Sequence, residues 1–147
     1  MNFHISRRQL MGGIAALPFA PYLAHAQANE PIRIGVLAPL TGGGGPYGVD
    51  IVKASKLAAD QINAAGGVLG GRKIELFVED DETSATAAVK AARKLLDIDK
   101  VVAITAIWGS APILAVRPLT LEKNVVLTAL GSADEVTEGD NIGRAHV

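Results

Sequence analysis

The sequence contains no cysteine and only three histidines, at positions 4, 25 and 146. The missing thiols exclude disulfide bonds and thiolate metal sites, and histidines so far apart do not form a ligand set of usable spacing. An excess of one charge is also missing, because 14 Lys and Arg residues stand against 15 Asp and Glu residues. A near-neutral chain is a poor match for nucleic acid. We therefore expect no metal, no cofactor and no nucleic-acid partner.

Long uninterrupted apolar runs are missing as well, and this decides how the amino terminus is interpreted. A membrane span needs about 20 apolar residues, whereas prolines interrupt the apolar stretch here. Residues 1–26 instead have a basic start, a short apolar region and an A-x-A ending at Ala24 and Ala26, which predicts a secretory signal cleaved after Ala26. The adjacent Arg7 and Arg8 resemble a twin-arginine signal. We expect export by that route.

Aromatic residues are scarce at 4%, while small and branched residues raise the apolar fraction to 49%. That composition suits helices packed closely on a buried parallel sheet. Four strand-like runs, each followed by a helical pattern, lie at residues 31–40, 72–82, 101–107 and 124–130. The third run is continuously apolar, which is typical of a strand buried on both faces. The alternation predicts an α/β fold, a parallel sheet with helices on both faces.

Prolines, caps and apolar periodicity place the helices. Pro46 suits the first turn of the first helix, and the second helix is predicted over residues 84–96. The third helix should begin with Ser110 as its N-cap, and Pro118 should kink or divide it. The inward face of the first helix is predicted to consist of Ile51, Ala54, Ala58, Ile62 and Ala65.

Residues 43–48 satisfy G-x-G-x-x-G between a strand and a helix, so a phosphate loop must be weighed. A dinucleotide site also needs an acidic residue about 20 positions later, and none lies near Val68; a P-loop needs Lys-Ser or Lys-Thr after the glycines. Neither Ser110 nor Ser132 has a nearby base. The acidic residues 80–82 are interpreted as a solvated cap, with a general acid/base or cation site as the alternative.

Several motifs occur together in the first half of the chain. They are an I-G-x-x-x-P-L-T-G opening at residues 34–42, Tyr47 at the start of a helix, N-A-A-G-G-V-x-G at 63–70, and the acidic pair 80–81 at a strand end. This combination resembles the start of the mature branched-chain amino acid binding proteins of ABC transporters, which are type I periplasmic binding proteins. The likeness continues over nearly all of residues 31–138.

The resemblance implies a periplasmic, non-enzymatic, two-lobed clamshell. Such a protein captures an amino acid or a related small amide or acid and delivers it to a membrane permease, so that it meets the membrane only through the transporter. On this interpretation residues 27–138 form part of the N-terminal lobe. Residues 139–147 are a divergent tail without helix or strand, and we expect a truncated fragment. The alternatives are a periplasmic enzyme exported around a cofactor and the ligand-sensing domain of a receptor.

The resemblance also implies where the ligand binds. Tyr47 would form an aromatic wall of the cleft, although it could instead only cap the first helix. Trp108, Gly109 and Ser110 would offer a hydroxyl and backbone N–H groups to a carboxylate, unless Ser110 is only an N-cap. Trp108 departs from the small polar residue common in the family, and could narrow the pocket or stack on a larger ligand. The remaining contacts, to a carboxylate and an ammonium group, would come from Gly131, Ser132 and Ala133.

Overall fold

Five parallel strands form the central sheet of the protein, whose computed structural model describes residues 30–137 and 142–144. The strands are β1 (Ile32–Ala38), β2 (Ile74–Asp80), β3 (Ala103–Trp108), β4 (Val126–Leu130) and β5 (Ile142–Arg144). They lie in the order β2-β1-β3-β4-β5. The predicted α/β fold with a parallel sheet is confirmed. The predicted signal of residues 1–26 lies outside the described residues.

Three helices connect the strands. They are α1 (Gly45–Ala64), α2 (Ala85–Arg93) and α3 (Ser110–Lys123). Pro46 lies in the first turn of α1, as predicted, and a 3-10 turn, Gly42–Gly44, leads into it. A π-helical turn, Lys94–Ile98, extends α2 close to its predicted end. A 3-10 turn, Asp134–Thr137, follows β4.

The chain reverses its direction across the sheet after β2. From β1 it first moves outward to β2, and it then passes back over β1 to β3, β4 and β5. Right-handed crossovers therefore place α1 on one face of the sheet and α2 and α3 on the other. The loops that follow β1 and β3 run to opposite faces and leave a crevice at the carboxyl edge of the sheet. Ligands bind at this position, the topological switch point, in open α/β sheets.

The apolar core lies mainly on the face covered by α2 and α3. Its largest members with no solvent exposure are Leu37, Leu95, Ile104, Ile107, Ile113 and Leu127. On the opposite face α1 buries only Gly48 and Ala59. The outward side chains of β4 are open to solvent there, with Val126 54% and Leu130 46% exposed. Helices therefore cover the face under α2 and α3 more completely than the face under α1.

The inward face of α1 differs from the prediction. Ile51 and Ile62 are half-buried, and the buried positions are Gly48 and Ala59. The other members of the predicted face are exposed: Ala54, Ala58 and Ala65. The buried stripe is therefore rotated around the helix axis. Alanine suits any helix position, so that its apolar character does not identify a buried face.

The start and the middle of α3 also differ from the prediction. Gly109 is the N-cap, because its φ of 98° lies in the left-handed region that glycine adopts without strain, and Ser110 is the first helical residue. The helix runs through Pro118 without division as far as Lys123. Pro118 is exposed, as is Leu114, whose carbonyl loses its helical partner to the proline, so that water can satisfy that carbonyl.

Two strand predictions are corrected as well. Only Ile104 and Ile107 of β3 are fully buried, so the strand is not buried on both faces as its apolar sequence suggested. In the tail, where no strand was expected, β5 pairs with β4 in parallel register. Three residues are too few to carry a recognisable strand pattern.

Candidate functional site

Tyr47 and Trp108 meet across the switch-point crevice. Tyr47 lies in the first turn of α1, after β1, and Trp108 is the last residue of β3, the strand beside β1. Their rings are stacked, with centroids 5.3 Å apart and an interplanar angle of 26°. Tyr47 is 58% exposed, and Trp108 is half-buried. The side chain of Tyr47 does not cap α1, whose N-cap residue is Gly44 without a side-chain cap bond.

Ser110 joins the start of α3 to the loop after β4. Its hydroxyl oxygen accepts hydrogen bonds from the backbone N–H groups of Ser132, at 3.3 Å, and Ala133, at 3.1 Å. The N–H of Gly109 donates to the carbonyl oxygen of Leu130 at 3.0 Å. The structure thus brings Ser110 together with Ser132 and Ala133, which are all predicted ligand residues. Because a hydroxyl can accept two bonds and still donate one, the proton of Ser110 can serve a ligand.

The first turn of α3 has the features that favour an anion. It has no side-chain cap bond and no acidic residue, and the third residue of the helix, Pro112, has no N–H. The N–H groups of Ser110 and Ala111 therefore carry the positive end of the helix dipole toward the crevice edge. Gly131, also predicted to contact the ligand, packs closely against α3 and the 3-10 turn: an added Cβ would lie 2.8 Å from Ile113 and 3.1 Å from Val136.

Asp80 fixes the loop that borders the other side of the crevice. Its Oδ1 accepts hydrogen bonds from the N–H groups of Leu40 (2.9 Å), Thr41 (3.2 Å) and Glu82 (2.8 Å), and its Oδ2 accepts one from the Thr41 hydroxyl at 2.6 Å. Burial raises the pKa of Asp80, but the bonds from the Thr41 hydroxyl and the three N–H groups outweigh it and hold the pKa below its usual value. No sequence pattern predicts this contact, which joins two separate loops.

Asp81, the next residue, is fully buried. Its Oδ1 accepts the N–H of Thr83 at 2.8 Å, while its Oδ2 has no hydrogen-bond partner. Burial raises the pKa of Asp81, the N–H of Thr83 opposes that rise, and the charge of Asp80 adds to it. Within residues 30–137 and 142–144 no group of three or more His, Cys, Asp or Glu side chains could hold a metal ion. The interpretation of this pair as a solvated cap is wrong for Asp81.

The glycine run closes against the β2–α2 loop. Gly42 has a φ of 74°, and an added Cβ there would meet the carbonyl oxygen of Glu82. The N–H of Gly44 donates to the Thr83 hydroxyl at 2.9 Å, and that hydroxyl donates to the carbonyl oxygen of Thr41 at 3.0 Å. A phosphate loop points free N–H groups at its ligand. Here the glycines instead allow two loops to pack together beside the crevice.

The family model for the periplasmic binding protein matches residues 31–144. The chain belongs to this family. Its members are substrate-binding proteins rather than enzymes. The match extends beyond residue 138, into the predicted divergent tail. Among relatives of this lobe, the amino acid binding protein of Pseudomonas aeruginosa is 32% identical over 138 residues, which is 91% of this chain and 36% of that protein.

Solved periplasmic binding proteins share the fold of the lobe. The branched-chain amino acid transporter substrate binding protein LivJ from Streptococcus pneumoniae, in complex with isoleucine, superposes with a TM-score of 0.73 and 29% identity over 77% of this chain and 33% of that one. A solute binding protein of an ABC transporter from Rhodopseudomonas palustris, in complex with 3,4-dihydroxybenzoic acid, gives a TM-score of 0.68 and 28% identity over 76% of this chain and 31% of that one.

The chain spans about a third of the length of the relatives that it matches. The described part of this periplasmic binding protein corresponds to their N-terminal portion and has the type I lobe fold. No helix within residues 30–137 is long and apolar enough to cross a bilayer.

Proposed function

We propose that the chain forms part of the N-terminal lobe of an exported solute-binding protein that captures amino acids, or related small amides and acids, for an ABC importer. The observation that carries the proposal is the meeting of the Tyr47–Trp108 stack and the uncapped start of α3 in one crevice. An apolar wall beside an anion-binding helix end is complementary to a small carboxylic acid. The relatives that bind isoleucine and 3,4-dihydroxybenzoic acid support the same class of ligand.

Each predicted site residue has a role in this proposal. Tyr47 and Trp108 form the wall against which the ligand lies. The backbone at Gly109 and Ser110, together with the Ser110 hydroxyl, holds the carboxylate. The exposed Ser132 borders the ligand from the loop after β4. The backbone of that loop is positioned by Gly131 and Ala133.

A second lobe completes the site in this proposal. The relatives are about three times as long as this chain, and a ligand held between two lobes loses most of its contact with water. One lobe alone supplies only part of those contacts, so that we expect weak binding by the 147 residues by themselves. The loaded protein then delivers its ligand to the membrane permease of the importer, and it meets the membrane only there.

Export to the periplasm belongs to the same proposal, and the periplasm is the compartment after which the family is named. The basic start at Arg7 and Arg8 supports the twin-arginine route, and Ala24 with Ala26 supports cleavage after position 26. Amino-terminal sequencing of the protein recovered from the periplasm should show that cleavage. Recovery of uncleaved protein from the cytoplasm would contradict it.

The test is a thermal-shift screen of the complete gene product against the twenty amino acids, urea, short amides, small carboxylic acids and nucleotides. A small carboxylic acid or amide should raise the melting temperature. Ser110→Ala removes a hydrogen bond to a charged group, so that a carboxylate should bind about 10- to 100-fold more weakly. Ser55→Ala is the matched control, because the Ser55 hydroxyl donates within α1 to the carbonyl of Ile51.

The melting temperature without ligand is recorded for each variant, which separates the loss of the Ser110 loop contacts from the loss of ligand binding. Stabilisation by nucleotides alone would contradict the proposal. So would an equal ligand response of Ser110→Ala and Ser55→Ala.

A further inference from the structure

β3 contains one residue more than the stretch of β4 that it pairs with. Ile104 lies opposite Leu127 of β4. Further along, Ile107 lies opposite Ala129, so that three steps along β3 match only two along β4. The extra residue is Ala106, whose φ of 75° lies in the left-handed region that residues with a side chain rarely adopt. An extra residue of this kind is a β-bulge, and bulges beside functional sites re-aim side chains.

The bulge changes which side chains of β3 point into the core. Successive side chains of a regular strand alternate between the two faces, so that residues three apart point to opposite sides. Ile104 and Ile107 are three apart, yet both are fully buried in the core under α2 and α3. Trp108 therefore points to the other face, as does Leu130, which lies opposite it on β4. If the same residues formed a regular strand, the alternation would direct Trp108 into the core.

β3 also parts from β1 at this bulge. The register between the two strands ends at the pair Val36 and Thr105, directly before the extra residue. β1 itself continues to Ala38 and stays paired with β2. The two strands thus separate at their carboxyl ends, where the ring of Tyr47 reaches Trp108. The bulge therefore lies where the crevice opens.

The side chain at the bulge suits its unusual backbone. A left-handed φ costs folding free energy in a residue with a Cβ, and it persists only where the surrounding structure holds it. The neighbours Ile104, Thr105 and Ile107 are β-branched and would tolerate this conformation least. Ala106 has the smallest side chain that carries a Cβ. The burial of the two isoleucines on either side of it holds the bulge in place.

We propose that Ala106 is a positioning residue, whose bulge turns Trp108 away from the core and into the crevice, where the indole forms the ligand-facing wall with Tyr47. The inference rests on the proposed function for the use of that wall. It assigns the placement of the indole to the backbone of β3.

The test measures nuclear Overhauser contacts between the rings of Trp108 and Tyr47 in the 147-residue chain, whose single tryptophan gives one indole N–H signal. Ala106→Val places a β-branched side chain at the left-handed position, and the ring contacts should be lost. Ala106→Gly adopts the same φ without strain and should keep them. Ala103→Val is the matched control, because it makes the same change within β3 before the bulge, where valine suits a strand. It should keep the ring contacts as well.

A second measurement decides the matter even where Ala106→Val fails to fold. Glycine weakens the interior of a strand but relieves a left-handed residue. Ala103→Gly should therefore lower the melting temperature, whereas Ala106→Gly should leave it unchanged or raise it. An equal decrease in the two glycine variants would overturn the inference. So would ring contacts that persist in a folded Ala106→Val.

Neither measurement uses a ligand, so that these outcomes are separate from those of the solute screen. Failure of every solute to bind in that screen would overturn the proposed function and the ligand-facing role of the wall. Loss of the ring contacts in Ala106→Val alone would still support the placement of Trp108 by the bulge.

Discussion

Asp80 and Asp81 are neighbours with opposite electrostatic environments, and the difference decides how each affects stability. The pKa of Asp80 is lowered because its hydrogen bonds outweigh burial, so the folded state favours its ionised form. That contribution to stability is complete above the usual carboxyl pKa of about 4 and is lost as the pH falls through the lowered value. The pKa of Asp81 is raised by burial and by the charge of Asp80, against the N–H of Thr83. Its ionisation therefore destabilises the folded state as the pH rises.

We predict opposite pH dependence for Asp80→Asn and Asp81→Asn. Asp80→Asn should destabilise the chain by about 1 kcal/mol or more at pH ~7, through the loss of charge-assisted bonds to Leu40 and Thr41, and the loss should shrink below about pH 4. The stability of Asp81→Asn relative to the unaltered chain should instead increase from pH ~4 to pH ~7. Urea unfolding across this pH range measures the free energy of unfolding of both variants. Slopes of the same sign for the two variants would show that the assigned environments are wrong.

At the scale of elements, Gly48 decides how closely α1 approaches the segment that directly follows β1. An added Cβ would meet the carbonyl of Pro39, and this backbone cannot move aside as a flexible side chain would. Gly48→Ala should therefore destabilise the chain by about 1–3 kcal/mol, although alanine favours a helix by about 1 kcal/mol over glycine. Gly43→Ala is the control, because no atom lies within 4 Å of its added Cβ, and it should be neutral. Urea unfolding gives both values, and a stabilised Gly48→Ala would rule out this close contact.

The packing of α1 shows which features of helices and strands can be predicted from the sequence and which cannot. Strands and helices followed from apolar runs, and Pro46 marked the start of α1 correctly, because these signals are local. The inward face of α1 did not follow, since it depends on where Gly48 and Ala59 meet the sheet. The predicted cap of α3, Ser110, lies one residue after the actual cap, because a sequence does not show the left-handed φ of Gly109. The stack of Tyr47 on Trp108 depends on strand order, which the local pattern does not specify.

At the scale of the whole molecule, the unequal covering of the sheet separates residues that are neighbours in sequence. Leu127 and Leu130 both lie on β4, and their side chains point to opposite faces. Leu127 has no exposure and belongs to the core under α2 and α3, whereas Leu130 is 46% exposed on the face that α1 leaves open. The free energy of unfolding should therefore depend strongly on side chains of the face under α2 and α3, and little on β4 side chains of the opposite, open face.

Leu127→Ala should cost about 2–5 kcal/mol of unfolding free energy, because it removes buried methyl groups and leaves a cavity. Leu130→Ala makes the same chemical change on the open face and should cost less than about 1 kcal/mol. Urea unfolding of the 147-residue chain measures both values. Equal costs would mean that something covers the open face in solution.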